Sequence, residues 1–226
     1  MFWQKRKFIN MRMRRKPNLD LRIEKCSHLL TEQPCAMRGK WLQEHGSDEL
    51  PYEELHIEIG CGKGLFTVET ALNSADVLFA AIEKEQNALV IALERAAQQT
   101  VKNIRFVCGF AENLCDYFAP GEVSRIYINF CDPWPANRHI KRRLTNQSYL
   151  ESYKTILCPG GEIHLKTDSL PLFMYSLSEL EKSGFEIIEK TFDLHKDGMV
   201  GVLTDYEIKF NEEESVPIYR CTAAAT

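Results

Sequence analysis

Glu58-Ile59-Gly60-Cys61-Gly62-Lys63-Gly64 runs from an apolar strand through a glycine-spaced loop and out into a helix. Glycine lacks Cβ, so the chain turns tightly there and a ligand can come close to its N–H groups. A dinucleotide fingerprint has the form G-x-G-x-x-G, but Leu65 holds the sixth position and the pattern is G-x-G-x-G. No further turn of N–H groups is set aside for a pyrophosphate, which favours a nucleoside ligand without phosphates. Glu83, 19 residues after Gly64 at the end of the next strand, is placed to accept both ribose hydroxyls.

Outward from this loop the chain alternates regularly. Residues 55–59, 77–82, 104–108, 125–130 and 162–166 read as short strands rich in β-branched and aromatic residues. Residues 65–72, 86–98, 146–157 and 170–182 read as helices, and Ala88-Leu89-Val90-Ile91-Ala92-Leu93 is apolar on nearly every face, as a helix packed on a sheet requires. Pro159-Gly160-Gly161 predicts a turn between helix and strand. Strand–helix alternation with short connections gives parallel β-α-β units, hence an α/β fold with a doubly wound, mostly parallel sheet. Residues 185–194, 206–210 and 216–221 read as strands without intervening helices, an antiparallel C-terminal edge to a sheet of about seven strands. Residues 19–45, broken by Pro34 and Gly39, have no assignable pattern.

Composition bounds the function classes. The 226 residues are 44% hydrophobic and 27% charged, which is ordinary for one globular domain. Apolar runs such as residues 77–82 are far short of the ~20 residues that span a bilayer. The basic N-terminus has no apolar segment after it, so no secretory signal is expected. Eight cysteines lack zinc-ligand spacing, which argues against a metal site and fits free thiols in a reducing cytoplasm. The net charge of -4 is unevenly spread, since residues 1–25 carry +7 and residues 136–143 carry +4. An acidic body with two basic patches suits local capture of a polyanion. Residues 1–16 read as a basic, flexible arm and 17–226 as one domain, with the cofactor half at about 54–130 and the substrate-facing elements at 131–226.

Acids gather at the strand ends. Glu58, Glu83, Asp132 and Asp168 close the first, second, fourth and fifth strands, and Glu112 follows the third. In open α/β sheets ligands bind beyond the carboxyl ends of the strands, so the five predict one polar pocket across the top of the sheet. After the fourth strand, Asp132-Pro133-Trp134-Pro135 presents a carboxylate and an indole on a stiff segment. The indole can stack on a base, and the carboxylate can accept from a guanine edge. Arg138, His139, Lys141, Arg142 and Arg143 follow at once and suit phosphate contacts.

The glycine loop with Glu58 and Glu83 resembles the first two motifs of class I S-adenosylmethionine-dependent methyltransferases, a Rossmann-like fold. That resemblance assigns cofactor contacts to Glu58, Gly60, Gly62, Gly64, Glu83 and Asp132. It also places the adenine at Phe110-Ala111-Glu112. Many relatives have Asp where Phe110 stands, so adenine N6 is read by Glu112 or by backbone. Phe130-x-Asp132-Pro-Trp134-Pro, the basic run, Lys166-Thr167-Asp168 and Thr204-Asp205-Tyr206-Glu207 together resemble bacterial tRNA (guanine-N7)-methyltransferases over about residues 39–220. The resemblance implies S-adenosylmethionine as cofactor, tRNA as partner, and methylation of a guanosine in the tRNA variable loop; no metal and no membrane attachment are expected, and a monomer and a homodimer both stay open. It implies that Asp168, Thr204, Asp205, Tyr206 and Glu207 help to hold the substrate base. Many relatives carry Lys after the Asp-Pro-Trp-Pro segment, where this chain has Ala136, and Arg138 or Lys63 is the expected replacement.

The chemistry agrees. Guanine N7 has an in-plane lone pair, so attack on a sulfonium methyl needs no deprotonation and no catalytic His or Cys. Positioning and anionic stabilisation of the charged purine suffice, with Asp132 as the stabilising group and Asp168 or Glu207 fixing the base edge. An amino-methyltransferase of adenine or cytosine would place its aromatic after the second proline. A non-catalytic RNA-binding module would not need the glycine loop, and a dehydrogenase is disfavoured by Leu65.

Overall fold

The strands form where branched and aromatic residues recur, and the central stretches 55–59 and 77–83 are buried on both faces. A computed structural model describes residues 15–46, 51–198, 201–211 and 216–225. The N-terminal part of the expected basic arm, 1–14, lies outside them. In chain order the main elements are α1 (Leu19–Lys25), α2 (Trp41–His45), β1 (Glu54–Ile59), α3 (Leu65–Leu72), β2 (Val77–Glu83), α4 (Gln86–Gln98), β3 (Ile104–Cys108), α5 (Leu114–Tyr117), β4 (Val123–Asn129), α6 (Gln147–Ile156), β5 (Leu157–Thr167), α7 (Leu170–Lys182), β6 (Phe185–Thr191), α8 (Asp205–Asn211) and β7 (Tyr219–Ala225).

The seven strands lie in the order β3-β2-β1-β4-β5-β7-β6. β1 pairs in parallel with both β2 and β4, while β7 runs antiparallel between β5 and β6. The chain winds outward to β3 from one side of β1 and to β5 from β4, so the switch point lies between β1 and β4. A crevice opens there, beyond the carboxyl ends of the strands.

One core lies on each face. Leu55 and Ile57 of β1 pack with Ile126 and Ile128 of β4 and with Leu150 and Tyr153 of α6. On the other face, Phe79 and Ala81 of β2 and Phe106 of β3 meet Leu89 and Leu93 of α4. Residues 19–45, unreadable from sequence, are held by long-range contacts: Trp41 is fully buried and its Nε1 donates to the Tyr117 carbonyl at 2.9 Å. Arg22 of α1 forms a two-pronged pair with Glu94 of α4 at 2.7 and 2.6 Å.

Three expectations are corrected. Residues 206–210 are helix, not strand: they lie in α8, which opens on a reciprocal cap, Glu207 N to Thr204 Oγ1 at 3.0 Å and Thr204 N to Glu207 Oε2 at 2.7 Å. The last strand starts at Tyr219 rather than at 216, since Pro217 has no N–H to donate to a ladder. Pro159-Gly160-Gly161 does not separate helix from strand but sits inside β5, where the register against β4 shifts and Gly160 takes φ +75.

Candidate active site

Gly60, Gly62 and Gly64 all adopt left-handed φ, at +78, +57 and +77. Their surroundings divide the labour. A Cβ on Gly64 would stand 2.6 Å from Ala92 Cβ, so that glycine lets the loop close on α4. A Cβ on Gly60 or Gly62 would meet nothing within 4 Å. Open space lies over the first two glycines, as a ligand resting on the backbone requires. Gly60 borders a cleft of about 620 Å³, which is also lined by Glu83, Phe110, Ala111, Glu112, Asp132, Trp134, Lys141 and Arg142.

Within this cleft Glu83 is nearly buried. Its Oε2 accepts from Gly62 N at 2.9 Å and its Oε1 from Glu85 N at 2.8 Å. A carboxylate oxygen has two acceptor positions, so each still has one free for a ribose hydroxyl. Glu112 is exposed, and its Oε1 accepts from Tyr149 OH at 2.7 Å. Burial, and then the neighbouring carboxylate, push the Tyr149 phenol well up, so it stays a donor. Phe110 is 55% exposed on the same rim.

The expected single row of five acids is not one pocket. Glu58 does not line the cleft. It is buried beneath the loop, where Thr67 Oγ1 and Asn129 Nδ2 donate to its two oxygens. Burial pushes its carboxyl above the ordinary value, against those two hydrogen bonds. At the middle of the sheet a strand-end acid is enclosed by α3 and β4, so it orients Asn129, which does line the cleft. Asp168 also lies outside the lining and accepts from Tyr206 OH at 2.7 Å.

The segment after β4 is strained. Phe130 and Trp134, neither of them glycine, have φ of +50 and +41, a conformation costing about 1–3 kcal/mol each. Asp132 is exposed between them. The indole of Trp134 is half-buried, with the Arg142 guanidinium 4.9 Å from its centroid and the His139 ring edge-on at 5.6 Å. Partial burial and then Arg142 and Arg138 lower the His139 ring, so it is neutral at pH 7. Cys131, also in the cleft, is held up to about 12 by burial and Asp132, and is therefore a thiol rather than a nucleophile. Ala136, Arg138, Lys141 and Arg142 are exposed. Arg143, expected to reach phosphate with them, is instead 7% exposed, and its guanidinium donates to the Pro133 and Trp134 carbonyls.

The Thr204–Glu207 segment is tied to both halves of the sheet. Asp205 receives a fork from Arg95, 2.9 Å on each oxygen, and accepts from Leu65 N at the start of α3. Burial would raise its carboxyl, but Arg95 holds it below the ordinary value. Tyr206 stacks on Phe130 at 4.6 Å. Glu207 is fully buried, 3.6 Å from Lys166 Nζ, which itself donates to the Val202 carbonyl at 3.0 Å. Thus Asp168 and Tyr206 stand together, whereas Thr204, Asp205 and Glu207 are committed to capping and anchoring.

A family model described as "Putative methyltransferase" matches residues 52–221. The tRNA (guanine-N(7)-)-methyltransferase of Geobacillus thermodenitrificans is 42% identical over 214 residues, 94% of this chain and 97% of the relative. That of Lactococcus lactis subsp. cremoris is 38% identical over 216 residues, with 94% and 97% covered. The chain belongs to the tRNA (guanine-N7)-methyltransferase family. Among solved structures, the 16S rRNA methyltransferase KamB superposes with TM-score 0.62 at 13% identity, covering 83% of this chain and 92% of that one. An antibiotic-related methyltransferase gives 0.60 at 16%, covering 77% and 89%. These two likenesses show the class I methyltransferase fold.

In this member of the tRNA (guanine-N7)-methyltransferase family, several site residues escaped sequence reading. Arg95, Thr67 and Tyr149 lie on helices, where nothing local marks them; Thr67 and Tyr149 act through partners 9 and 37 positions away, and Arg95 through Lys63 and Asp205, 32 and 110 positions away. The Thr204-x-x-Glu207 spacing was a legible signal, because it is a helix-capping pattern. Among the described residues, no group of three or more metal-ligating side chains occurs and no helix is long and apolar enough to cross a membrane.

Proposed function

We propose that this chain transfers the methyl group of S-adenosylmethionine to N7 of a guanosine in the variable loop of cytoplasmic tRNA. The observation that carries this reading is that Asp132 and Trp134 share one cleft with Glu83 and with Gly60 of the glycine loop. The residues suit the cofactor: the floor at Gly60 and Gly62 is clear, Glu83 keeps two acceptor positions for the ribose, and Phe110 with Glu112 borders the place for an adenine. When bound, S-adenosylmethionine supplies a methyl group on a positively charged sulfur.

The protein's part is to position and to stabilise charge. Trp134 offers a face for the guanine, and Lys141 and Arg142 at the cleft edge take the adjoining phosphates. As the N7 lone pair forms the new N–C bond and the S–C bond breaks, positive charge appears on the purine, and the Asp132 carboxylate opposes it. No proton leaves the base, which is consistent with the neutral His139 and the protonated Cys131.

The test is incubation with labelled cofactor and unmodified tRNA, followed by nucleoside mapping. N7-methylguanosine in the variable loop is expected. A methyl group on an exocyclic amine, or no transfer, refutes the reading. Asp132→Ala should lower kcat by about 10²–10³-fold, and near-normal turnover would remove Asp132 from the mechanism.

A further inference from the structure

We propose that Arg143 is a positioning residue that holds the Asp132–Pro135 segment in its reactive shape and makes no contact with tRNA. It rests on the reading above only in taking tRNA as the substrate. The sequence places Arg143 last in a run of basic residues, yet its environment differs from theirs. Arg138, Lys141 and Arg142 are exposed, whereas Arg143 is buried. Its Nε donates to the Pro133 carbonyl at 3.1 Å and to the Trp134 carbonyl at 3.3 Å, and its Nη2 donates to the Trp134 carbonyl at 3.1 Å. The guanidinium lies 4.4 Å from the Tyr175 ring centroid, and Tyr175 is set in turn by Asn146 Nδ2, which donates to its hydroxyl at 3.0 Å.

The clamp sits where the backbone needs one. Trp134 has φ +41 and Phe130 φ +50, so this segment would relax toward ordinary conformations without an external hold. Arg143 grips the two carbonyls that follow Asp132, those of Pro133 and of the strained Trp134 itself. A planar fork stacked on a ring can satisfy neighbouring carbonyls in one geometry, which an ammonium on a flexible stem cannot reproduce. Displacing a reacting group by about 1 Å can cost about 100-fold in rate. The residue therefore acts on kcat through Asp132 and Trp134 rather than on tRNA capture.

The test compares wild type with R143K, and with R143A where it folds. Four quantities are read: kcat, KM for tRNA, the slope of log affinity for tRNA against log salt, and acrylamide quenching of tryptophan emission in a W3F background. In that background Trp41 is fully buried, so quenching reports Trp134. R143K should lower kcat by about 10- to 100-fold while KM and the salt slope stay within twofold and within error of wild type, and its quenching should rise. Three results would overturn the proposal: a KM increase with kcat retained, a salt slope reduced by about 0.7–0.9 as loss of one phosphate contact gives, or unchanged quenching. Because quenching needs no turnover, it decides the clamp even if wild type yields no N7-methylguanosine, an outcome that would refute the proposed function alone.

Discussion

Replacing Gly64 by Ala should cost far more stability than replacing Gly62, although both glycines belong to the same loop and both have positive φ. Each substitution forces an L-residue into the left-handed region, worth about 1–2 kcal/mol. At Gly62 that is the whole structural cost, since a Cβ there meets nothing within 4 Å. At Gly64 the new Cβ would lie 2.6 Å from Ala92 Cβ and 3.1 Å from Ala92 Cα, and the second of these is backbone of a buried helix. Overpacking of that kind adds about 1–3 kcal/mol, so G64A should lose roughly 2–5 kcal/mol. For a chain of this size each kcal/mol moves Tm by about 2–4 °C, and the fall should be about 10 °C for G64A against about 5 °C for G62A. Thermal unfolding measured without cofactor separates this from ligand effects. The sharper check is the double variant: A92G alone costs about 0.5–1 kcal/mol as a glycine within a helix, but it removes the closest contact, so G64A/A92G should be more stable than the sum of the singles by about 1 kcal/mol or more. Additive losses, or equal melting points for G62A and G64A, would refute the assignment of Gly64 to loop–helix packing.

Other outcomes follow from the same geometry. Burial, with Arg105 adding to it at His45 and the Glu162 hydrogen bond opposing it at His164, holds both rings down to about 4 from 6.5. A lowered folded value means that the unfolded chain binds more protons in this window, so stability present above 6.5 is lost as pH falls toward 4, by at most about 1.4 kcal/mol per pH unit per ring. H164N should show a shallower loss than wild type in melting curves across that range, and parallel curves would contradict it. Asp205→Asn weakens the Arg95 fork over the glycine loop; because the pair is partly exposed, the stability loss should stay near or below about 1 kcal/mol, while calorimetry should show S-adenosylmethionine affinity reduced by up to about tenfold. Unchanged affinity would detach α8 from the loop. Deleting residues 1–16, which carry seven Lys or Arg, should flatten the salt dependence of tRNA affinity, and an unaltered slope would exclude that segment from tRNA capture.

The fold was legible to the extent that local pattern carried it. Residues 65–72, 86–98 and 170–182 are helices at the boundaries expected, and β3 spans 104–108 as read. In each, hydrophobic period and breaking residues agree with the final packing. Reading failed where side-chain capping or ladder chemistry overrode composition. Ile208 and Phe210 suggested a strand, but Thr204 and Glu207 start a helix there by satisfying each other's N–H groups. Trp41 had no readable context because its partners, Phe118 and Tyr117, lie more than seventy positions along the chain.

The site divides in the same way. Residue order alone determined that a glycine loop, the carboxylate of Glu83 and the Asp132-Pro-Trp134-Pro segment sit at strand ends on one edge of the sheet, because in a parallel sheet every strand delivers its last residue to the same edge. It could not determine which polar groups at that edge face the cleft. That depends on what packs above and below each one. Glu58 turns under the loop to Thr67 and Asn129, Glu83 keeps half its acceptor capacity toward the cleft, and Arg143 turns inward to two carbonyls while Arg142 beside it stays outside. Identical residue types in one motif thus take opposite roles, since a buried charge must find partners from distant elements and only the assembled structure supplies them.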